Sequence, residues 1–398
     1  MRETSDILIS GGGVAGLTAA TALGSAGFRV ICVDPTAPVT EAEAEGADLR
    51  TTAFLQPSVG VLERAGLWSR LLPHAAPLQI MRIIDAGGAE PMARLVKDFD
   101  ASEISDAPFG WNLPNWLLRR EMVARLAELP NVSFRPGIGF ARMLARESEA
   151  LVSLTDGAQV SARLVIGADG RNSPVREALG IAVKTLRYGQ KALAFAVTHD
   201  VPHGSVSTEV HRKGGPFTLV PLPDRDGRPA SAIVWMETGA EVARLAALPV
   251  AEFEAAMTAR STGVLGPLRL VSRRSVWPII SQIAARMSGP RTVLMAEAAH
   301  VVPPIGAQGL NMSLADLTCL MGLAESHRDD PGKAAVTEAY HRARHLEVQG
   351  RVTGIDLLNR ASMAGTPVLR DLRAKALDAL YSARPVRQVL MRAGLGVR

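Results

Sequence analysis

At 398 residues the chain has room for two domains and a substantial core. Its 47% hydrophobic and 21% charged residues exclude a disordered chain. The two cysteines, Cys32 and Cys319, exclude a disulfide framework and a cysteine metal cluster; both read as small buried hydrophobes in a reducing cytoplasm.

The N-terminal stretch "MRETSDILIS" carries polar and acidic residues where an export signal has a basic region and an apolar core. From Ile7 to Phe28 there is no charge, which matches a membrane span in length. Clustered glycines and Arg29 favour instead a strand (Asp6–Ser10), a turn, a helix (about Ala15–Gly27) and a second strand (Arg29–Asp34). The turn reads Gly11-Gly12-Gly13-Val14-Ala15-Gly16, a G-x-G-x-x-G, with Asp34 at the end of the next strand. In that setting Gly11 permits the turn, Gly13 lets a pyrophosphate approach the backbone, Gly16 lets helix and strand pack, and Asp34 accepts from a ribose. A glycine turn that binds nothing is the competing reading.

Residues 48–71 read as a helix-rich segment. Alternating apolar and polar residues over 78–95 and 184–277 favour antiparallel sheet. "PNWLLRREMVARLAEL" (114–129) has helical spacing, and "ARLVIGADGRNSPVREALG" (162–180) reads strand, Asp169-Gly170 turn and a helix capped by Ser173. By itself this second motif is as well explained by a plain strand-to-helix turn. "TVLMA" (292–296) returns to strand and leads into "AEAAHVVPPIGAQGLN" (296–311), then a helix from Asn311 to about Ala324. Pro303 and Pro304 stiffen this third motif, and Gly306 and Gly309 strip one surface of side chains. A helix start aims its free amides at that surface, which suits a flat or anionic group; a rigid structural turn is the alternative.

The expected fold is α/β. A discontinuous Rossmann-like nucleotide-binding domain (1–77, 104–183, 278–340) is interrupted by an antiparallel-sheet domain (78–103, 184–277), and helices fill 341–398. His300 reads as a core or loop-orienting residue. Tyr188 and His211 fall in the sheet domain as pocket candidates, against ordinary surface or core roles. No histidine pair has metal-site spacing, so no metal is expected, and a Walker loop and nucleophile elbow are absent. Of the net charge of +5, residues 341–398 carry +7, with ten Arg and one Lys against one Glu and three Asp. Such a region attracts anionic lipid, or is simply a solvated surface. Few aromatics and no recognised motif argue against nucleic acid.

Together the three motifs resemble those of the FAD-dependent aromatic hydroxylases of the para-hydroxybenzoate hydroxylase type. "DLRTTA" (48–53), "YGQKALAFAV" (188–197), "STEVHRKGGPFTLVPLPD" (207–224) and "RVTGIDLLNR" (351–360) resemble its ubiquinone-biosynthesis hydroxylase branch. The resemblance runs along essentially the whole chain. It implies that Gly11, Gly13, Val14, Ala15, Gly16 and Asp34 hold the ADP half of FAD. Arg50 and Arg119 reach its phosphates or ribose, with Arg120 competing for the role of Arg119. Asp169 belongs to a motif linked with FAD and the nicotinamide cofactor, and Pro304, Gly306, Gly309, Leu310 and Asn311 lie beside the isoalloxazine. Glu297 stands in for an aspartate: Ala296-Glu297 departs from the family's Gly-Asp, and Ser313 and Ala315 replace a Gly and an Arg often seen in the branch.

The implied activity is hydroxylation of a phenol through a flavin C4a-hydroperoxide, with NADH or NADPH as reductant and O₂ as co-substrate. No protein nucleophile or metal is then needed, and no second glycine fingerprint marks a separate nicotinamide domain. A polyprenyl phenol is the expected substrate, with the basic C-terminal region resting peripherally on the inner membrane surface. The rivals are a hydroxylase of small soluble phenols and a flavin-binding partner in a biosynthetic complex without turnover.

Overall fold

In the computed structural model the uncharged N-terminal run folds as β1 (Glu3–Ser10), α1 (Val14–Ser25) and β2 (Val30–Asp34). The structure describes residues 3–88, 90, 92–363 and 365–395. Residues 1, 2 and 396–398, at the outer bounds of the expected units, lie outside the described residues, as do Ala89, Pro91 and Ala364.

Three sheets organise the described residues. The first takes in β8 (Val132–Pro136), β9 (Phe140–Ala145), β10 (Ala150–Leu154), β11 (Gln159–Gly167), β18 (Ser288–Gly289) and β19 (Thr292–Leu294). Its order is β18-β19-β11-β1-β2-β8, with β10 and β9 added beside β11. The β19-β11-β1-β2-β8 portion is parallel. Ile7, Leu8 and Ile9 are all fully buried, which is why β1 reads as an unbroken apolar run rather than an alternation. Each such side chain contributes about 1.5–3 kcal/mol by leaving water. The helices α1, α2 (Gln56–Arg64), α4 (Asn115–Ala127) and α8 (Gln308–Ser326) pack against one another beside it. The short α3 (Trp68–Leu71) precedes the second sheet, and α5 (Pro174–Ala178) follows β11.

The second sheet runs β20-β17-β12-β15-β14-β13-β5-β6, with β16 (Arg269–Leu270) paired to β12. Its members are β5 (Ile80–Asp85), β6 (Leu95–Asp100), β12 (Val183–Thr198), β13 (Val206–His211), β14 (Pro216–Arg225), β15 (Arg228–Thr238), β17 (Ser275–Ala284) and β20 (His300–Val301). It is antiparallel except that β5 joins β13 in parallel, Ile80 to Val206 through Asp85 to His211. No hairpin connects those two strands, so nothing local imposes the antiparallel arrangement expected from the alternation.

Alternation divides this sheet's faces between two cores. Leu193, Phe195, Phe217, Leu219, Ile233 and Trp235 pack with Val242 and Leu245 of α6 (Gly239–Ala247) and Phe253 and Met257 of α7 (Val250–Arg260). Ala192, Met236 and Ile279 turn the other way, into the core of the first sheet. The two helices correct the all-sheet expectation for 184–277. A third sheet, β3-β7-β4, comprises β3 (Thr51–Leu55), β4 (Ala76–Leu78) and β7 (Gly110–Pro114). Here β3 corrects the helix-rich reading of 48–71: β-branched Thr51 and Thr52 pair with β7 before α2 begins. The chain ends in α9 (Ala334–Ser362), α10 (Pro367–Ser382) and α11 (Arg384–Leu395). Among the described residues no helix is long and apolar enough to cross a membrane.

Candidate functional site

The three glycine-bearing motifs, far apart in sequence, leave neighbouring strands at one edge. Ser10 of β1 is in register with Val33 of β2 and Gly167 of β11, and Gly167 is in register with Leu294 of β19. The Gly11 turn, Asp34, the Asp169 turn and Ala296-Glu297 therefore emerge together at the carboxyl ends of parallel strands. Open α/β sheets place ligands there.

The glycines divide by what surrounds them. A Cβ on Gly11 (φ +120°) would stand 2.3 Å from the Ala168 carbonyl, and one on Gly16 would stand 1.9 Å from that of Gly11. These two permit the chain to close on itself. A Cβ on Gly13 would meet nothing within 4 Å. Gly13 is the N-cap of α1 and supplies no side-chain cap, so the first-turn amides of Val14, Ala15 and Gly16 lack intrahelical partners at an open surface. Asp34 accepts from the Gly12 amide at 2.5 Å and from the Thr36 amide at 2.7 Å. Asp169 accepts from Ser10 Oγ at 3.1 Å and the Val175 amide at 3.2 Å, while its Oδ1 is buried without a partner. Burial raises this carboxyl above its ordinary range, against the opposing pull of the Ser173 hydroxyl and these donors. Ser173 caps α5 by accepting from the Arg176 amide at 3.0 Å.

Asp48 gathers the next group. It accepts from Arg50 at 2.8 and 2.7 Å and from Asn115 at 3.0 Å, with Arg119 Nη2 at 3.5 Å. Burial works to raise the Asp48 carboxyl, but Arg50, with Asn115 and Arg119, holds the group below the usual carboxylate range. Arg119 Nε is buried with no partner, and Arg50 lies 4.0 Å over the Trp277 ring. Arg120 turns elsewhere, to Glu121 at 3.0 Å and the Trp116 ring at 5.4 Å. Only Arg119 of the two joins the cluster. Glu297 is exposed and near enough to favour the charge on Arg50.

In the late loop, Ala296 (φ 55°), Gly306 (φ 62°) and Ala307 (φ 55°) are left-handed. The helix α8 starts at Gln308, three residues before the expected Asn311, so its first-turn amides belong to Gln308, Gly309 and Leu310. Asn311 is instead a bolt. Its Oδ1 accepts from the Leu55 amide (2.9 Å) and Ser58 Oγ (2.6 Å), and its Nδ2 donates to the carbonyls of Ala53 (2.7 Å) and Ala307 (2.6 Å). Pro304 and Gly309 are exposed, and a Cβ on Gly309 would meet nothing within 4 Å; Leu310 packs on the core. Behind the loop, fully buried Asp316 accepts from His300 Nε2 at 2.7 Å and Arg344 Nε at 2.8 Å. His300 is thus a core residue that orients the loop.

The second sheet is tied to this region through β7. Asn112 lies opposite Ala53 in the β3–β7 pair and donates to the Pro221 carbonyl of β14 at 2.9 Å. The two pocket candidates are not brought together, since β15 and β14 separate their strands. Tyr188 donates to Asp356 of α9 at 2.7 Å, and burial pushes its hydroxyl up to about 12. His211 Nε2 is 2.8 Å from Glu209 Oε1, and its Nδ1 is buried without a partner. A cleft of about 300 Å³ beside the Asp169-Gly170 turn is lined by Arg171, Arg176, Thr185, Arg187, Ile280 and Gln282. Asp48, Trp277, Glu209 and these cleft arginines escaped the sequence reading. "DLRTTA" contains Asp48, "STEVHRKGGPFTLVPLPD" contains Glu209, and the second motif contains Arg171 and Arg176, so these signals were available; Trp277 and Arg187 belong to no recognisable local motif.

Comparison with known proteins fits this geometry. The FAD binding domain family matches residues 4–354. The chain is 32% identical over 400 residues to the ubiquinone hydroxylase UbiL of Rhodospirillum rubrum, covering 99% of this chain and 90% of the relative. It is 25% identical over 398 residues to the 3-demethoxyubiquinol 3-hydroxylase of Escherichia coli, covering 99% of each. In fold it is similar to p-nitrophenol 4-monooxygenase PnpA of Pseudomonas putida, with a TM-score of 0.81, 21% identity and full coverage of both chains. The chain belongs to the FAD binding domain family of flavin-dependent monooxygenases, among the ubiquinone hydroxylases.

Proposed function

We propose that the protein hydroxylates a phenolic ring, with FAD as the bound cofactor, NADH or NADPH as reductant and O₂ as co-substrate, and that the substrate is a polyprenyl phenol of ubiquinone biosynthesis. The observation that carries this reading is the shared register of β2, β1, β11 and β19, which collects all three motifs around open backbone surfaces at Gly13 and Gly309. The names of the relatives support the substrate class.

FAD fits the residues present. Two side chains around the surface, Arg119 and Asp169, each keep a buried polar atom without a partner, and the helix starts at Gly13 and Gln308 carry no first-turn acid. The amides of Val14, Ala15 and Gly16 would hold the pyrophosphate and Asp34 the adenosine ribose. Arg50, Arg119 and Asp169 would hold the middle of the molecule, and Glu297 a ribityl hydroxyl. The surface from Pro304 to Leu310 would carry the ring; Asn311, its side chain fully engaged, serves by fixing that surface. When bound, FAD accepts a hydride from the nicotinamide and activates O₂ to deliver one oxygen atom to the phenol.

The chain's own work is positioning and electrostatics. With the ring carried on that surface, the first-turn amides of α8 would favour negative charge on it. Asp316, held between His300 and Arg344, keeps the loop in place. The arginine-lined cleft at the Asp169 turn suits the phosphates of the nicotinamide cofactor. The basic C-terminal helices suit an anionic membrane surface, where a polyprenyl substrate resides.

Purified protein reduced with NADH or NADPH in air should convert a short-chain prenyl phenol to a product one oxygen heavier by mass spectrometry. Conversion of small soluble phenols alone would favour the soluble-substrate reading. A flavin-loaded protein that oxygenates no phenol would favour a non-catalytic partner.

A further inference from the structure

One polar pair stands on the face of the second sheet that turns toward the core it shares with the first sheet. Val210 is fully buried in the α6–α7 core, so Glu209 and His211 on either side of it project to the opposite face. There Glu209 lies opposite Thr218, Thr218 opposite Val234, and Val234 opposite Ala194, a strip in which Thr218 and Val234 remain half-buried. From Thr218, β14 continues to Pro221, where Asn112 ties it to Ala53 and thence to Asn311. His211 lies opposite Pro216, so the pair sits three to five residues of β14, about 10–17 Å of strand, from that tie.

The chemistry of the pair is directional. A carboxylate only accepts, so at 2.8 Å the hydrogen must reside on His211 Nε2, donated to Glu209 Oε1. In the neutral ring the lone pair is then on Nδ1, which is buried and has no partner. Buried acceptors of this kind are rare unless a ligand or water completes them. Of the charges around the pair, Asp85 and Arg260 are engaged. Asp85, beside His211 on β5, takes Arg94 and Arg373 of α10. Arg260 of α7 donates to the carbonyls of Val210 and Gly215, and Lys213 faces Glu237 and Glu241. Arg212 presents its carbonyl to Arg373.

We propose that His211, oriented by Glu209, is the group that binds and deprotonates the phenol, an inference that rests on the hydroxylase reading above. Nδ1 accepts the phenolic O–H. The O–H bond breaks as the N–H bond forms, and the electron pair stays on the phenolate oxygen, activating the ring toward an electrophilic oxygen. Glu209 balances the imidazolium, and the proton passes to solvent when the product leaves.

The test uses FAD-loaded protein without reductant and p-nitrophenol as probe, its ionisation read by absorbance across pH. Bound to the wild type, the probe should ionise about one pH unit or more below its value in buffer, because an imidazolium faces the phenolate. Glu209→Gln should shrink that shift, and His211→Phe and His211→Gln should abolish it with FAD content unchanged. With a prenyl phenol and NAD(P)H, both His211 variants should lose about 100-fold or more in kcat and the acidic limb of its pH profile. His211→Gln, which keeps a donor for Glu209, guards against a folding defect in the Phe variant. Wild-type probe ionisation and turnover in both variants would overturn the proposal. A wild type that shifts the probe but hydroxylates no phenol would instead sink the hydroxylase reading while leaving His211 as a phenol-binding group.

Discussion

Two glycines of the proposed cofactor surface separate folding from binding. Gly11 is required by the fold: its φ is +120° and its missing side chain leaves room for the Ala168 carbonyl. Gly11→Val should therefore destabilise the apoprotein by about 3 kcal/mol or more, through strain and overpacking. Gly309 faces open space inside the first turn of α8, so Gly309→Val should leave apoprotein stability within about 0.5 kcal/mol while weakening FAD binding at least tenfold. Thermal denaturation of the apoprotein and FAD titration read the two effects separately, and an unchanged FAD affinity in Gly309→Val would remove the ring from that surface. At this scale the sequence was legible where function is local, as in Gly11 to Gly16 and the Ser173 cap. It was silent where partners are remote: Asn311 is bonded to Leu55 and Ser58 across more than 250 positions. Arg119 and Arg120 were indistinguishable as letters, and only the pose of α4 against Asp48 separates them.

At the level of elements, the missed helix α6 did have a readable start. Thr238-Gly239-Ala240-Glu241 fits the S/T-x-x-E pattern, and the Thr238 hydroxyl accepts from the Glu241 amide at 3.4 Å. The strong alternation around it concealed that signal. Attachment of α10 was not readable, because its most buried ion pair is made to a carboxylate remote in sequence. Asp85 accepts from Arg373 of α10 at 3.0 and 2.8 Å and from Arg94 at 3.0 and 2.7 Å. Burial would raise the Asp85 carboxyl, but Arg94, the Gly87 amide and Arg373 together hold it below the ordinary range. A depressed folded-state value means that this attachment is fully present above the unfolded aspartate value of about 3.9. It is lost as pH falls through the lower folded value. Amide exchange in α10 should accordingly quicken at acid pH before that of β1. Asp85→Asn should show the same quickening at neutral pH; protection equal to wild type there would mean that α10 is held by its other contacts, the Asp371–Arg94 and Asp378–Lys97 pairs among them.

Over the whole molecule, the basic C-terminal excess was countable in the sequence, but the direction of its apolar residues was not. Periodic apolar positions announce a helix without saying which side meets the body. In α10, Val368 is 76% and Leu372 62% exposed, and in α11 Val389 is 64% exposed, with Leu369, Leu380, Val386 and Leu390 also outward. The acids of α10 are already engaged by the body, Asp371 by Arg94 and Asp378 by Lys97. Lys375, Arg384 and Arg392 are left exposed among the apolar residues. Outward apolar side chains interspersed with cations are the signature of a helix lying in a lipid interface, and a nearby anionic leaflet contributes about 1 kcal/mol per basic residue. The protein should therefore sediment with vesicles containing phosphatidylglycerol far more than with neutral phosphatidylcholine vesicles. High salt should weaken the binding because it screens the attraction. Leu372→Asp combined with Val389→Asp should reduce vesicle binding at least tenfold, leaving FAD content and turnover of a short-chain phenol intact. Equal recovery with neutral and anionic vesicles, or a concentration-dependent dimer in which the same two substitutions disrupt self-association, would assign this face to another copy of the chain.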